Sequence, residues 1–351
     1  MLTKKSSNKN LRNANKAKND EFYTQLSDIE KELGNYKDHL KNKVVFCNCD
    51  DPEESHFWNY FCLNFEHLKL KKIVSTHYEK EKPSYKLEIV KDTNNDGKIN
   101  CLDTIKTRLK QNGDFRSPEC IKILEQADVI ITNPPFSLFR EYVAQLFEYN
   151  KKFIIIGNQN AITYKEIFKL IKDNRIWLGQ SIHSGDREFR VPAHYDIHSP
   201  SKRVDENGVQ YVRVNGVRWF TNLDYKERHE DLILYKTYYG HESEYPKYDN
   251  YNAINVDKTK DIPMDYKGAI GVPITFLDKY NPEQFEIIGQ GQGNLYRELT
   301  PKGLNKKFVE DYYKTGGTGS IKEDHPVLGY YDKNGKAVIP YMRIIIKNKK
   351  I

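Results

Sequence analysis

The sequence predicts an α/β fold in which a mostly parallel sheet is covered by helices on both faces, joined to a smaller irregular region. Apolar, strand-like runs alternate with helical segments from about residue 40 to residue 180. Such alternation is typical of parallel sheets connected by crossover helices. The run at residues 153–157 has no polar face, as expected of a strand covered on both sides.

The elements of this region can be assigned in order along the chain. We expect helices at residues 20–36, 56–65, 121–127, 138–149 and 164–172, and strands at residues 44–49, 73–76, 87–90, 128–132, 153–157 and 176–178. Ligands of open parallel sheets bind beyond the carboxyl ends of the strands. Asp50 and Asp51 follow the first strand and Asn133 follows the fourth. We therefore expect the two loops to share one cleft.

The pattern changes after residue 180, where basic residues are scattered among aromatic and turn residues. The alternation at residues 212–214, followed by Asn215 and Gly216, predicts a short antiparallel hairpin. Apolar strands reappear near the end, and residues 344–346 are expected to return to the first sheet. We therefore divide the chain into segments 1–19, 20–180, 181–262 and 263–351.

The chain carries a modest basic excess, with 56 Lys and Arg against 49 Asp and Glu, for a net charge of +7. A basic excess favours an acidic partner such as a phosphate backbone, but a lysine-rich surface explains it equally well. Residues 1–18 contain basic side chains and no acidic one. This segment is expected to be a disordered arm, which either clamps nucleic acid or is merely solvated.

The composition also indicates in which cellular compartment the protein is expected and whether it is expected to bind a metal. The five cysteines are odd in number and fit no zinc spacing, which favours reduced thiols in the cytoplasm and no metal site. No apolar run reaches the roughly 18 residues of a membrane span, and the N-terminus lacks the apolar core of a secretory signal. We expect a soluble cytoplasmic protein that makes no contact with a membrane.

One motif points directly to chemistry: a turn that follows the apolar strand at 128–132 and consists of Asn133, Pro134, Pro135 and Phe136. The N6 amine of adenine is a poor nucleophile, because its lone pair is delocalised into the ring. The Asn133 side-chain oxygen and the Pro134 carbonyl can each accept one N6 hydrogen, which favours a tetrahedral nitrogen. Prolines stiffen the turn, and rigid positioning is what this reaction requires.

Phe136 offers a ring on which the base can stack. Because the target atom lies inside a duplex, the nucleotide must be flipped out, and stacking would offset that cost by roughly 1–3 kcal/mol. The alternative is a proline-stiffened turn with no catalytic role. The preceding strand and the following helix favour the catalytic interpretation.

A methyl donor must bind beside this turn, yet the usual glycine-rich loop after the first strand is missing. Asp50 or Asp51 is a candidate for the donor's amino group, but either can equally cap the next helix. Asp114 and Phe115 are candidates for contact with the donor's adenine, although Gly113 and Asp114 can also form a plain turn.

Several strings of the sequence resemble the EcoRI modification methylase family, in one order and over nearly the whole chain. They are residues 20–25, 48–52, 113–117, 133–140, 245–250 and 271–276. The resemblance implies a Rossmann-like S-adenosylmethionine methyltransferase fold that modifies adenine in double-stranded DNA. It also implies a restriction–modification system, with a cognate restriction endonuclease as genetic partner.

The resemblance extends to individual segments. It implies that residues 133–136 form the catalytic loop, and that Phe22, Tyr23 and Thr24 close over the donor. It also implies that segment 20–180 is the catalytic domain and that segment 181–262 is the target-recognition region. The chain departs from the family's type member near residues 289–338, an apparent insertion, and at residues 183–191. For this reason we predict no recognition sequence.

Four arginines of the second region are candidates for reading base edges in the major groove, where Arg favours guanine. They are Arg187, Arg190, Arg213 and Arg218. A solvated surface is the alternative for each of them.

A separate segment imitates a calcium loop, with Asp92 at its start and Asp103 at its twelfth position. The strand-like flank at residues 85–90 favours a hairpin connection instead, because a calcium loop of this type follows a helix.

Three functions compete. The first is a DNA adenine methyltransferase; the second is a methyltransferase for an RNA amine or a protein glutamine, because the same turn serves any planar amine or amide. The third is a non-catalytic DNA-binding protein on the same fold. The basic region after residue 180 favours DNA, and the intact 133–136 turn favours catalysis.

Overall fold

The computed structural model describes residues 23–80, 82–183, 186–191, 201–299 and 302–351. The basic arm at 1–19 and Phe22 lie outside these residues. The chain forms two compact units. Unit 1 contains residues up to 164 together with 176–225, and unit 2 contains residues 165–175 and 226–351. These compact units do not coincide with segments 20–180, 181–262 and 263–351, whose functional assignment stays a prediction.

Unit 1 contains a large sheet, which in its described residues has eight strands in the order β4-β3-β2-β1-β5-β6-β11-β7. The strands are β1 (Val44–Cys47), β2 (Lys72–Thr76), β3 (Tyr85–Ile89), β4 (Ile105–Arg108), β5 (Val129–Thr132), β6 (Lys152–Asn158), β7 (Trp177–Leu178) and β11 (Val217–Thr221). The four central strands, β2, β1, β5 and β6, are parallel. The antiparallel strands β3 and β4 flank one side, and β11 pairs antiparallel with β6 on the other.

Helices pack on this sheet as the alternation predicted. They are α1 (Leu26–Leu33), α2 (Lys37–Leu40), α3 (His56–Asn64), α4 (Pro118–Gln126) and α5 (Phe139–Glu148), with 3-10 turns at Gly34–Tyr36, Cys101–Asp103, Phe136–Leu138 and Gln159–Thr163. The β-branched and aliphatic runs of β1, β5 and β6 are almost completely buried, as expected for central parallel strands. The α/β class with a Rossmann-like sheet is confirmed.

A smaller antiparallel sheet of unit 1 has three strands in its described part, β8 (Asp186–Val191), β9 (Lys202–Val204) and β10 (Gln210–Asn215), in the order β8-β10-β9. The hairpin predicted at Asn215 and Gly216 is wrong. Gly216 has φ of +70°, but β10 pairs with β8 and β9, whereas β11 pairs with β6 and β7. The turn instead carries the chain from the small sheet to the large one.

The calcium-like segment connects β3 to β4, which form the antiparallel pair expected of a hairpin. Its carboxylates accept backbone N–H groups of the loop itself. Asp92 accepts from Asn95 and Gly97, and Asp103 accepts from Thr93 and Asn100. The interpretation as a hairpin connection is therefore confirmed.

Unit 2 contains a mixed sheet whose described strands run in the order β12-β13-β17-β14. Its strands are β12 (Ala253–Asn255), β13 (Ala269–Pro273), β14 (Phe285–Gln290) and β17 (Arg343–Asn348), and β15 (Tyr330–Tyr331) pairs with β16 (Ala337–Val338). The expected return of residues 344–346 to the first sheet is wrong, because β17 pairs with β13 and β14. An apolar run predicts a buried strand but does not specify its partner.

The remaining elements of unit 2 are α6 (Lys165–Lys172), α7 (Gly293–Leu299) and α8 (Lys306–Lys314), with 3-10 turns at Lys226–His229, Glu242–Glu244, Thr259–Asp261 and Ile274–Lys279. The predicted insertion at 289–338 contains α7, α8, β15 and β16. In the described parts of both units, no helix has the length and apolar character needed to cross a membrane. Over the same residues, no group of three or more His, Cys, Asp or Glu side chains is arranged to hold a metal ion.

Candidate active site

The loops that follow β1 and β5 meet at the carboxyl edge of the parallel strands. Asp50, which is 3% exposed, joins them. Its Oδ2 accepts the Asn133 backbone N–H at 3.0 Å and also the Thr132 hydroxyl. The Cys49 N–H donates to the same hydroxyl oxygen at 3.1 Å. The backbone at Asn133 is thus fixed to the loop after β1 through two hydrogen bonds to one carboxylate.

The turn at residues 133–136 is buried at Asn133 and has, at Pro135, the backbone conformation that proline favours. Asn133 is 7% exposed, and Pro135 has φ of −54° and ψ of 124°, within the range that its ring allows. Phe136 begins a 3-10 turn whose Leu138 N–H donates to the Pro135 carbonyl at 3.0 Å. The Phe136 ring is half-buried and packs partly on the core of unit 1.

Asn48, at the end of β1, connects this edge to α5. The Tyr142 hydroxyl of α5 donates to Asn48 Oδ1, and the Tyr142 ring meets Phe115 edge-on with centroids 5.1 Å apart. Asn48 is 2% exposed, and its Nδ2 has no hydrogen-bond partner among the described residues. A buried N–H donor of this kind is a candidate ligand group.

Asp51 stabilises the loop after β1 and also reaches His77, which directly follows β2. Its Oδ1 accepts the Glu53 N–H at 2.9 Å, and its Oδ2 lies 3.6 Å from His77 Nε2. Ser55, not Asp51, caps α3 by accepting the Phe57 N–H. Asp51 therefore caps a turn and not the helix, and its contact with the donor's amino group stays a prediction.

The loop at residues 111–117 lies beside the end of β2. Gly113 has φ of +79°, and a Cβ atom there would lie 1.9 Å from the His77 carbonyl oxygen, so only glycine fits. The Asp114 carboxylate accepts from Arg116 Nε and Nη2 at 2.9 and 2.7 Å. Phe115 is 5% exposed. The loop that carries Asp114 and Phe115 thus lies beside His77, which follows β2, and Asp114 is engaged by Arg116.

Tyr23 and Thr24, predicted to close over the donor, are buried. The Tyr23 N–H donates to the Arg190 carbonyl at 2.9 Å, and the Arg190 N–H donates back at 3.1 Å. Thr24 is 2% exposed, and its hydroxyl oxygen lacks a hydrogen-bond partner in the described structure. The segment therefore holds a second buried polar atom that a ligand would satisfy.

The four arginines predicted to contact DNA have different surroundings. Arg213 is exposed on β10, whereas Arg187 and Arg190 are half-buried and pair with Asp28 and Glu54. Arg218 is 2% exposed and donates to the Val217 and His183 carbonyls at 2.8 and 2.6 Å. Both roles considered from the sequence, contact with base edges and a solvated surface, require an exposed side chain, and this burial fits neither.

The thiols at this edge are not nucleophiles. Burial, followed by the nearby Asp50 carboxylate, raises the pKa of Cys49 well above its usual value, and the same causes act on Cys47. A thiol with a raised pKa stays protonated near neutral pH, and only the thiolate is reactive. Covalent attack by cysteine therefore does not fit this site.

Sequence reasoning missed three of the residues that organise the site, namely Asn48, Thr132 and Tyr142. Thr132 is the last residue of β5 and Asn48 directly follows β1, so their positions at strand ends are an available signal. Tyr142 carried no such signal, because its partner Asn48 lies 94 residues away in sequence.

We expect Thr132→Val to lower the rate of the reaction that this site performs by roughly 10-fold, because it removes the hydroxyl that bridges Cys49 and Asp50 and loosens the turn at Asn133. Thr132→Ser is the matched control, since it keeps the hydroxyl, and it should retain most of the rate. Steady-state kinetics on both variants test the effect. Equal rates for the two variants would show that the hydroxyl does not position the turn.

Sequence comparison identifies a protein family and several relatives of this chain. The sequence profile of the family described as "Adenine-specific methyltransferase EcoRI" matches residues 10–349. The chain is 47% identical to the Type II methyltransferase M.EcoRI of Escherichia coli over 358 residues, covering 100% of this chain and 99% of that protein. It is 41% identical to M.MpnI of Mycoplasma pneumoniae, over 96% of this chain and 97% of that protein.

Two more distant similarities complete the comparison. M.MgeORF184P of Mycoplasma genitalium, also named a Type II methyltransferase, is 40% identical over 96% of this chain and 98% of its own length. The crystal structure of PH1948 from Pyrococcus horikoshii, a candidate RNA methyltransferase, aligns with 64% of this chain and 100% of its own at 14% identity and a TM-score of 0.28. That last likeness is too low to support any argument.

Proposed function

The chain belongs to the EcoRI family of adenine-specific methyltransferases, and from this premise we propose that it methylates N6 of adenine in double-stranded DNA with S-adenosylmethionine as donor. One observation carries the proposal. The Asn133 backbone is held by the buried Asp50 carboxylate at the carboxyl edge of the parallel sheet. This is the edge at which ligands of such sheets bind.

The residues of the turn act on the amine of the base. The Asn133 side-chain oxygen and the Pro134 carbonyl accept the two N6 hydrogens, so that the nitrogen lone pair leaves conjugation with the ring. Phe136 stacks on the base and offsets part of the free energy of flipping it from the duplex. S-adenosylmethionine supplies an electrophilic methyl group when bound. Because the turn is rigid, the amine is held in one orientation, and this positioning is the main catalytic contribution.

Two buried polar atoms fit a donor at this edge. Asn48 Nδ2 and Thr24 Oγ1 belong to side chains that are each 2% exposed, and neither atom has a partner among the described residues. Buried polar groups are normally hydrogen-bonded, and the donor offers carboxylate, hydroxyl and ring-nitrogen acceptors. We assign donor binding to Asn48 and Thr24, together with Tyr23, Asp50, Asp51, Asp114 and Phe115. Phe22 stays in this set as a prediction from the sequence.

We expect Asn48→Asp to weaken the binding of S-adenosylhomocysteine about 10-fold, which corresponds to about 1.4 kcal/mol. The aspartate still accepts the Tyr142 hydroxyl but no longer offers an N–H. Isothermal titration calorimetry measures the effect. Tyr142→Phe is the control, because it removes the hydroxyl and keeps the ring against Phe115, and its affinity should stay within about 3-fold of the wild type. Unchanged affinity of Asn48→Asp would remove Asn48 from the donor site.

We further propose that the enzyme serves a Type II restriction–modification system in the cytoplasm, with a cognate restriction endonuclease as genetic partner. Its three relatives are named Type II methyltransferases. The small sheet is the candidate DNA-recognition surface, with Arg213 exposed on β10. Arg187 and Arg190 can contribute only if their ion pairs open, and Arg218 would first have to leave its buried position.

Transfer of a labelled methyl group from S-adenosylmethionine tests the proposal directly. Wild-type protein is offered duplex DNA, single-stranded RNA and a total protein extract in parallel reactions. The proposal expects label in the DNA alone. Label in RNA or in protein glutamine would favour the second function considered from the sequence, and binding of DNA without any transfer would favour the third.

A further inference from the structure

Arg190 of β8 joins the small sheet to the candidate donor site. In the register of β8 with β10, Arg190 lies opposite Tyr211. Its own N–H and C=O point away from β10 and pair with Tyr23. A residue in a non-hydrogen-bonded antiparallel pair makes no backbone hydrogen bond to the residue opposite. Its N–H and C=O are therefore available to a segment on the other side of the strand. Tyr23 therefore extends the small sheet by one residue pair at the edge of β8.

The Arg190 side chain makes a second connection. Its Nη2 pairs with the Glu54 carboxylate, and its guanidinium carbon lies 5.8 Å from the centroid of the Tyr23 ring. Glu54 belongs to the turn after β1, where its N–H donates to the Asp51 carbonyl at 3.1 Å. One side chain thus contacts the segment that precedes Thr24 and the turn that follows Asp50.

A second arginine of β8 reaches the same side of unit 1. Arg187 Nε lies 3.5 Å from Asp28 Oδ1 in α1, the helix that begins two residues after Thr24. Arg187 opposes Val214 and Arg190 opposes Tyr211, so the two side chains leave opposite faces of β8. Side chains on both faces of β8 therefore contact elements that lie next to the donor residues Thr24 and Asp50.

We propose that Arg190 is a positioning residue that couples DNA binding on the small sheet to donor binding at the carboxyl edge. The inference rests on the proposed function, since it takes the small sheet as the DNA surface. DNA seated on β8 and β10 holds β8 in place, and Arg190 then fixes Tyr23 and Glu54 around the donor residues Thr24 and Asp50. Because coupling between two ligands is reciprocal, a bound donor must strengthen DNA binding by the same factor.

A matched control is present in the same sheet. Arg203 of β9 pairs with Glu188 at 3.1 and 2.7 Å and lies 4.4 Å from the centroid of the Tyr211 ring. It resembles Arg190 in having one carboxylate and one aromatic partner, but both partners belong to the small sheet. Arg203→Ala therefore removes a comparable ion pair without touching the connection to the donor residues.

The test measures coupling on the full-length protein. The dissociation constant of S-adenosylhomocysteine is determined by calorimetry with and without saturating duplex DNA that carries the sequence methylated by the wild type. We expect DNA to tighten wild-type binding at least about 5-fold. The same ratio is expected for Arg203→Ala when the DNA concentration is raised to saturate that variant, because a change in its DNA affinity alone leaves the ratio at saturation unaltered. For Arg190→Ala the ratio should fall to about 1, and Glu54→Ala should reproduce this loss. The double variant should lose no more than either single one.

The outcomes separate the inference from the proposed function. A wild type that methylates DNA but shows no coupling, or an Arg190→Ala protein that keeps the wild-type ratio, overturns the inference and leaves the function standing. A wild type that methylates no DNA overturns the function itself. Near-UV circular dichroism checks that the variants are folded. If Arg190→Ala is not folded, Glu54→Ala tests the same ion pair by removing the carboxylate. The Glu54 side chain is 44% exposed and therefore tolerates truncation.

Discussion

Replacing Asn133 with Ala is expected to lower methyl transfer to duplex DNA by roughly 10³-fold, in line with the loss of one preorganised polar group in an active site. The side chain supplies the oxygen that draws the amine lone pair out of the ring, and alanine supplies none. DNA binding should be retained, because the Asn133 backbone N–H still donates to Asp50. Single-turnover kinetics and fluorescence anisotropy measure the two properties separately.

Asn133→Asp is the matched variant for this prediction. It keeps an acceptor oxygen at the same position but places a second carboxylate near Asp50, so its rate should fall between those of wild type and Asn133→Ala. Unchanged single-turnover rates in Asn133→Ala would refute the assigned role of the side chain. A loss of rate with an equal loss of DNA affinity would show that the residue mainly supports binding.

Replacing Glu32 with Ala is expected to lower the free energy of unfolding by roughly 3 kcal/mol, since it leaves buried donors unpaired. The Glu32 side chain is completely buried. Its carboxylate accepts the Gln180 N–H at 3.0 Å, the Ser181 N–H at 2.7 Å and the Tyr36 hydroxyl at 2.9 Å. It thereby fastens α1 to the segment that leads into β8. Urea denaturation measures the change.

Glu30→Ala is the control for this second prediction, because Glu30 lies on the same helix and is exposed. Its substitution should change the free energy of unfolding by less than about 0.5 kcal/mol. If the two variants unfolded at the same urea concentration, the three hydrogen bonds to Glu32 would not contribute to stability. The comparison excludes a general effect of removing negative charge from α1.

The parts of the fold that could be predicted from the sequence are those determined by local pattern. β1, β5 and β6 are apolar runs that end at polar or turn residues, and such runs bury themselves on both faces of a sheet. Because the carboxyl ends of parallel strands lie at one edge of the sheet, the sequence also predicts that the Asp50 and Asn133 loops lie together at the edge where ligands bind. The direct bond between Asp50 and the Asn133 backbone follows from that arrangement.

The parts that could not be predicted depend on which elements pair. β11 and β17 are both extensively buried, yet β11 joins the large sheet of unit 1 and β17 joins the sheet of unit 2. Period-two alternation identifies a strand but carries no information about its partner. The same limit explains Arg218, whose burial follows from the pairing of β11 with β6 and not from its own neighbours in sequence.

The site shows the same division. Asn133, Pro134 and Asp50 are predicted because they lie in the loops that follow two strands. Asn48 also follows a strand, but its role depends on a hydrogen bond from Tyr142 of α5, which lies 94 residues away in sequence. The roles of Arg190 and Glu54 likewise arise from a contact across 136 residues of sequence. Side chains that position a site from a distance leave no local signal.

Mapping the modified bases in DNA from cells that express this chain shows directly whether the turn at residues 133–136 methylates adenine. We predict N6-methyladenine within one short recognition sequence, present with the wild type and absent with Asn133→Ala. DNA that carries no methyl groups, or methyl groups on cytosine instead of adenine, would contradict a turn built to hold the exocyclic amine of adenine.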